Sequence, residues 1–136
     1  MSIFQTISTE LKYIRFAVNL VRRAGRADKF PLETVADLIE SEVKKNGKKI
    51  AIEFEDTKYT YSQLDDEANK IAHWAISKGF KKGDVVSLLM ENRPEFIFIW
   101  YGFAKIGGTV ACLNSNIKSK SLAHCIQTSK SKSITV

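Results

Sequence analysis

A chain of 136 residues is long enough for one small domain with a modest core. With 44% apolar and 26% charged residues it is not globally disordered. Its formal charge of +6, from 21 Lys and Arg against 15 Asp and Glu, favours an anionic partner, but the charge is gathered at the two ends. Residues 1–30 carry Lys12, Arg15, Arg22, Arg23, Arg26 and Lys29 against Glu10 and Asp28, and the stretch 117–136 carries Lys118, Lys120, Lys130 and Lys132 without an acid. A nucleic-acid domain spreads its basic residues over one face, so this distribution argues against nucleic acid as the partner.

From the first residues, Ile3, Phe4, Ile7, Leu11, Ile14, Val18 and Val21 recur at three- and four-residue steps, which predicts an amphipathic helix over residues 3–24. Lys12, Arg15, Asn19 and Arg22 form its polar stripe. Such a helix suits either a membrane interface or packing on a protein body. Its charges are scattered and it lacks an unbroken apolar core, so it does not read as a secretory signal. Arg26 to Pro31 reads as a linker. The division expected is residues 1–31 as leader and linker, and 32–136 as a domain.

Thr34 is a plausible cap for a helix from Val35 to Asn46, with Gly47 as its left-handed stop. Ile50 to Glu55 alternates as a half-buried strand should, Asp56-Thr57-Lys58 reads as a turn, and Tyr59 to Tyr61 as the returning strand. Ser62, with Asp65 three residues on, is expected to cap a strong helix whose buried stripe is Leu64, Ala68, Ile71, Ala72 and Ala75 and which Gly79 ends. After the turn Lys81 to Asp84, Val85 to Met90 is a continuous apolar strand of the kind covered on both faces. Pro94 opens a helix that stops at Gly107-Gly108. Thr109 to Leu113 is a strand, Ser121 to Thr128 a helix and Ser133 to Val136 a strand. Strand, helix, strand, helix, strand predicts an α/β fold with a mainly parallel βαβαβ sheet.

Three blocks carry a family resemblance. Tyr59 to Phe96 has Tyr-x-x-Leu, a long helix, Gly, Gly-Asp, an apolar strand and Pro-Glu-Phe; Phe103 to Asn114 is a helix end, Gly-Gly and a strand. Together they resemble the N-terminal part of the adenylate-forming enzymes, the acyl-CoA synthetase and luciferase superfamily. Glu91 to Phe96, Trp100, Leu113-Asn114-Ser115-Asn116, Leu122, His124 and Cys125 resemble its fatty acid transport protein branch, the very long-chain acyl-CoA synthetases. The resemblance implies a two-step ligase in which fatty acid and ATP give an acyl-adenylate and pyrophosphate, and coenzyme A then displaces AMP. It implies ATP, magnesium and coenzyme A as cofactors of the full-length enzyme. It implies location at a membrane, on the cytosolic face of the endoplasmic reticulum or plasma membrane.

The phosphate loop of that family is Ser/Thr/Gly-rich and ends in Pro-Lys. The nearest stretch here, Thr128 to Ser133, has no glycine to let a backbone close on phosphate. No residue is therefore assigned a catalytic, cofactor-binding or metal-ligating role, and the chain alone is expected to be an inactive, incomplete portion of the large domain. The other reading is a non-catalytic module that binds a membrane or a partner. His73 and Trp74 are expected to be a packed or half-exposed structural pair, and His124 and Cys125 to pack on the sheet. Arg93 could bind an anion at a helix start or pair with Glu91 or Glu95. Phe96, Phe98, Trp100, Tyr101 and Phe103 could border an acyl pocket in the full-length protein, but an aromatic helix between two strands better suits the core. Cys112 and Cys125 are expected to be mostly buried thiols.

Overall fold

The fold is a computed structural model that describes residues 18, 19, 21, 22 and 33–136. The chain divides into two units, Met1–Thr34 and Val35–Val136. In the first, Val18, Asn19, Val21 and Arg22 are helical and exposed. The rest of the helix expected over 3–24, and the linker after it, lie outside the described residues.

The second unit begins with α1 (Val35–Asn46), a hairpin of β1 (Ile50–Phe54) and β2 (Thr57–Thr60), and α2 (Tyr61–Ser77). The antiparallel register runs Phe54↔Thr57 to Ile50↔Thr60, with an irregularity after Ile50. The hairpin therefore turns on Glu55-Asp56 rather than on Asp56-Thr57-Lys58, and Glu55 takes a left-handed φ of 50°. The tight two-residue turn lets Thr57 and Lys58 join the ladder. The cap of α2 also differs from the expectation at Ser62. Thr60 Oγ1 accepts the Gln63 N–H at 3.2 Å while Gln63 Oε1 accepts the Thr60 N–H at 2.9 Å, a reciprocal capping box. Gly47 is not left-handed. It is there for space: a Cβ would come within 2.5 Å of Ser62 Oγ and 2.9 Å of the Val43 carbonyl. That closeness lets the Ser62 N–H donate to the Gly47 carbonyl at 3.0 Å.

Gly79, at φ 78°, ends α2 as expected. The chain continues through β3 (Val85–Leu89), α3 (Pro94–Lys105), β4 (Thr109–Leu113), α4 (Ser119–Ser129) and β5 (Ser133–Thr135). The three strands form one parallel sheet in the order β4-β3-β5. Successive side chains of β3 point to opposite faces. Val86 and Leu88 join Ala75, Phe80, Ile99 and Phe103 in a core beneath α2 and α3. Ser87 faces the other way, where its hydroxyl bonds Ser131 Oγ at 2.8 Å and Ser129 Oγ at 3.0 Å at the end of α4. Helices thus cover both faces of β3. That is why β3 reads as an apolar run with one small polar interruption, Ser87.

A second core joins Ala36, Leu64, Ala68, Phe98 and Tyr101, and so ties α1 and the hairpin to the α2–α3 pair. Tyr59 meets Phe98 edge to face at 5.1 Å, as Phe80 meets Phe103. Phe80, Phe98 and Phe103 are buried and each contributes about 1.5–3 kcal/mol, while Tyr59 is half-buried. Gly102 is the contact point of α2 and α3, where a Cβ would lie 2.7 Å from the Ala68 carbonyl. The aromatic helix is core, as its composition indicates: Phe98, Tyr101 and Phe103 are buried.

Candidate functional site

In an open parallel sheet, ligands bind outside the carboxyl ends of the strands, because the loops there diverge to the helices on either face. Leu89 pairs with Leu113 at that end. β3 leaves through Met90 to Arg93 into α3, and β4 leaves through Asn114 to Lys118 into α4. Between the two loops lies a cleft of about 570 Å³ bordered by Glu91, Asn92, Phe96, Cys112, Asn114 and Asn116. Asn114 shapes its rim, since its Oδ1 accepts the Asn116 N–H at 2.9 Å. Asn92 and Phe96 also border an apolar hollow of about 260 Å³, closed on the far side by Ile52 and Phe54 of β1. The site offers amide, carboxylate, hydroxyl and thiol groups to orient a polar ligand. An apolar recess adjoins it.

Arg93, at the start of α3, points its charge at a neighbour: its Nε lies 3.0 Å from Glu95 Oε2. The ion-pair reading therefore holds over the anion-site reading. Cys112 is exposed, which corrects the expectation of burial; it lies one residue before the end of an edge strand, beside the cleft. Cys125 is half-buried on α4. His73 and His124 are exposed on their helices. Trp74 lies tilted against Phe80 with ring centroids 6.4 Å apart. None of these last four residues lines the cleft.

The stretch 128–133 does not suit a phosphate. Ser131 Oγ accepts from the Ser87 hydroxyl, the Ser129 hydroxyl donates to the Ile126 carbonyl at 2.7 Å while its oxygen lies 3.0 Å from Ser87 Oγ, and Lys130 is held left-handed as the cap of α4. The left-handed glycines 79, 83 and 107 lie at the opposite end of the sheet from the cleft.

One cluster was not foreseen from the sequence. Tyr101 of α3 donates to Asp65 Oδ1 of α2 at 2.7 Å, and Asn69 donates to Oδ2 at 3.1 Å. Lys105 of α3 reaches Asp65 at 2.9 Å and Glu40 of α1 at 2.8 Å, with its ammonium group 4.9 Å from the centre of the Tyr101 ring. The side chain of Lys105 is only 11% exposed. Its signal in the sequence was a single cation inside the apolar stretch from Phe96 to Leu113. A lone charge in such a helix must find a partner.

A parallel α/β sheet with helices on both faces and a polar cleft at its carboxyl edge defines an open α/β ligand-binding domain. Residues 39–136 match the AMP-binding enzyme family, and the chain belongs to it. It is 39% identical over 127 residues to "Long-chain fatty acid transport protein 6" of Mus musculus, covering 93% of this chain and 20% of that protein. It is 34% identical over 93 residues to "Crotonobetaine/carnitine--CoA ligase" of Citrobacter koseri, covering 65% of this chain and 18% of that protein. The resemblance to the fatty acid transport protein branch therefore holds. The chain spans about a fifth of the length of these curated relatives. The fold is shared with the Klebsiella oxytoca NpsA N-terminal subdomain in complex with anthranilyl-AMSN. That match has a TM-score of 0.72 at 22% identity, over 76% of this chain and 27% of the other.

Proposed function

We propose that this chain supplies scaffold to a long-chain or very long-chain fatty acid–CoA ligase, which converts fatty acid, ATP and coenzyme A to acyl-CoA, AMP and pyrophosphate and serves fatty acid uptake. The observation that carries the reading is the likeness to a long-chain fatty acid transport protein over 93% of the chain, within a family of AMP-binding enzymes. The name of the Citrobacter relative supports coenzyme A as the acyl acceptor. The sheet and its helices hold one wall of a polar cleft with an apolar recess beside it, a pairing that suits a ligand with a polar head and a hydrocarbon tail. Magnesium and the nucleotide phosphates are held by parts of the ligase other than residues 33–136, and the 136-residue chain by itself has no turnover. Residues 1–31 act as a basic leader ahead of this scaffold. Residues 3–24 lie in the cytosolic interface of the endoplasmic reticulum or plasma membrane, cations toward lipid phosphates and Ile7, Leu11 and Ile14 toward the acyl boundary. Among the described residues no helix is long and apolar enough to cross a membrane.

The test is an exchange. This chain replaces the matching segment of the mouse relative, and fatty-acid-dependent acyl-CoA formation is measured; retained activity is expected. Pyrophosphate release by the isolated chain would reject its inactivity. A second reading, a non-catalytic module, is favoured by one observation: α4 buries no residue, and Ile134 of β5 is 44% exposed. A folded but inactive exchange protein, together with capture of the intact relative by the isolated chain, would favour it.

A further inference from the structure

We propose that the amino-terminal edge of the parallel sheet is a docking surface for an anionic lipid membrane, built from residues of the second unit alone. It is independent of the ligase reading and of the leader. α2 runs out at Ser77, Lys78 caps it, and the chain turns through Phe80, Lys81, Lys82 and Gly83 into β3. Lys132 enters beside it at the start of β5. Its ammonium group donates to the Gly79 carbonyl at 2.6 Å and to Asp84 Oδ2 at 3.0 Å, and lies 5.2 Å from the centre of the Phe80 ring. Asp84, the one acid between Trp74 and Val85, is thereby neutralised, and its carboxylate also accepts the Lys81 N–H at 2.8 Å. Lys78, Lys81 and Lys82 are exposed and have no ion-pair partner among the described residues. Trp74 is 42% exposed on the same flank of α2 as Lys78, one turn away, and it is backed by Phe80.

Three exposed lysines at the edge that also carries a 42% exposed indole suit a lipid headgroup layer. The cations meet phosphate and serine carboxylate, and the amphipathic ring sits at the boundary between water and acyl chain. The charge alone would suit any polyanion; the indole decides for lipid. The five residues of β3 separate this edge from the cleft by about 17 Å, so a membrane held here leaves the cleft open at the far edge.

The experiment uses the full chain with Trp100→Phe, so that Trp74 supplies the emission. Vesicles contain brominated phosphatidylcholine with or without phosphatidylserine. Trp74 is expected to be quenched by the brominated chains only when phosphatidylserine is present, and less so as salt rises. Quenching is expected to persist in the Leu11→Glu, Ile14→Glu chain. Lys78→Gln, Lys81→Gln, Lys82→Gln should weaken binding by roughly tenfold or more. Lys44→Gln, Lys45→Gln, Lys48→Gln removes the same charge at the other end of α2 and should change it by less than about twofold. Vesicle binding with Trp74 unquenched would overturn the proposal by assigning the membrane to the leader. Equal losses in the two triple variants, or binding to single-stranded RNA without binding to vesicles, would overturn it too. The quenching of the otherwise unaltered surface needs no charge variant, so it stands even if a triple variant fails to fold.

Discussion

Tyr101 donates its phenolic hydrogen to Asp65 across the interface of α3 and α2, 36 residues apart in sequence and 2.7 Å in space. Lys105, one turn further along α3, reaches the same carboxylate oxygen and extends the link to Glu40 of α1. Three helices therefore share one network of charge-assisted bonds. The apolar contacts around Ala68 and Phe98 supply the bulk of the burial. The network sets which turn of α3 lies against which turn of α2, because a slip by one turn would strand a carboxylate and an ammonium together.

Removing one member should therefore cost more than a surface ion pair, which contributes about 0–1 kcal/mol. Asp65→Ala leaves the Tyr101 hydroxyl and half of the Lys105 contacts unpartnered. It should destabilise the chain by about 2–3 kcal/mol, less than the range for a fully buried pair because the Asp65 side chain is 20% exposed. Tyr101→Phe should cost about 1–2 kcal/mol. The double variant should cost less than the sum, since the second substitution finds the bond already broken. Urea midpoints of the full chain measure all three. Additive losses would show that the two residues act separately.

The same network predicts how stability follows pH. Burial pushes the Asp65 carboxyl up, but bonds from Lys105, Tyr101 and Asn69 outweigh it and hold the group below its ordinary 3.8. The folded state thus binds that proton more weakly than the unfolded one. Its contribution is present above 3.8 and is lost as pH falls through the lowered value. On the alkaline side, burial pulls the Lys105 ammonium down, yet Glu40 and Asp65 raise it above 10.5. Burial, then Asp65 and Glu40, lift the Tyr101 phenol well above 10.0. Both protons are held more tightly in the fold, so that part of the stability is full below these ordinary values and declines as pH rises through the folded ones. Thermal melts across pH should show Asp65→Asn flattening the acid limb and Tyr101→Phe flattening the alkaline limb above pH 10.0. Unchanged limbs in both variants would remove the network from the pH response.

The start of α2 gives a sharper contrast between two neighbouring hydroxyls. Thr60 is extended and its side chain accepts the Gln63 N–H, so Thr60→Ala should cost about 1 kcal/mol. Ser62 lies inside the first turn and is exposed, so Ser62→Ala should stay within about 0.5 kcal/mol. The reverse order would return the cap to Ser62.

That contrast shows where the sequence is legible. The stripe Leu64, Ala68, Ile71, Ala72 and Ala75 follows from helical spacing alone; all are buried except Ile71, which is half-buried against both cores. The apolar run of β3 reports its cover on both faces for the same local reason. Thr60 and Ser62 compete on equal local terms, and the choice falls to Thr60 because β2 extends that far and leaves it outside the helix. Asp65 looks like a capping acid by its distance from Ser62. Its partners across the interface, Tyr101 and Lys105, both come from α3 and depend on how the two helices pack. The cleft is of the second kind. The loops after β3 and β4 can each be read, but their meeting depends on parallel pairing of Leu89 with Leu113.

Cys112 offers a direct probe of that meeting. Its thiol is exposed at the cleft and makes only a weak 3.9 Å contact with the Val110 carbonyl, whereas Cys125 is half-buried on α4. Reactivity follows access as well as thiolate content. N-ethylmaleimide should therefore modify Cys112 faster than Cys125, by roughly tenfold, as read by peptide mass spectrometry on the native chain. The label adds bulk to the cleft without entering the core, so the melting temperature should hold. In the exchange protein carrying this segment, the same label should lower acyl-CoA formation, and Cys112→Ser should protect against that loss. Faster labelling of Cys125 would place the Cys112 thiol under cover. Labelling of Cys112 with acyl-CoA formation intact would take the cleft out of the ligand path.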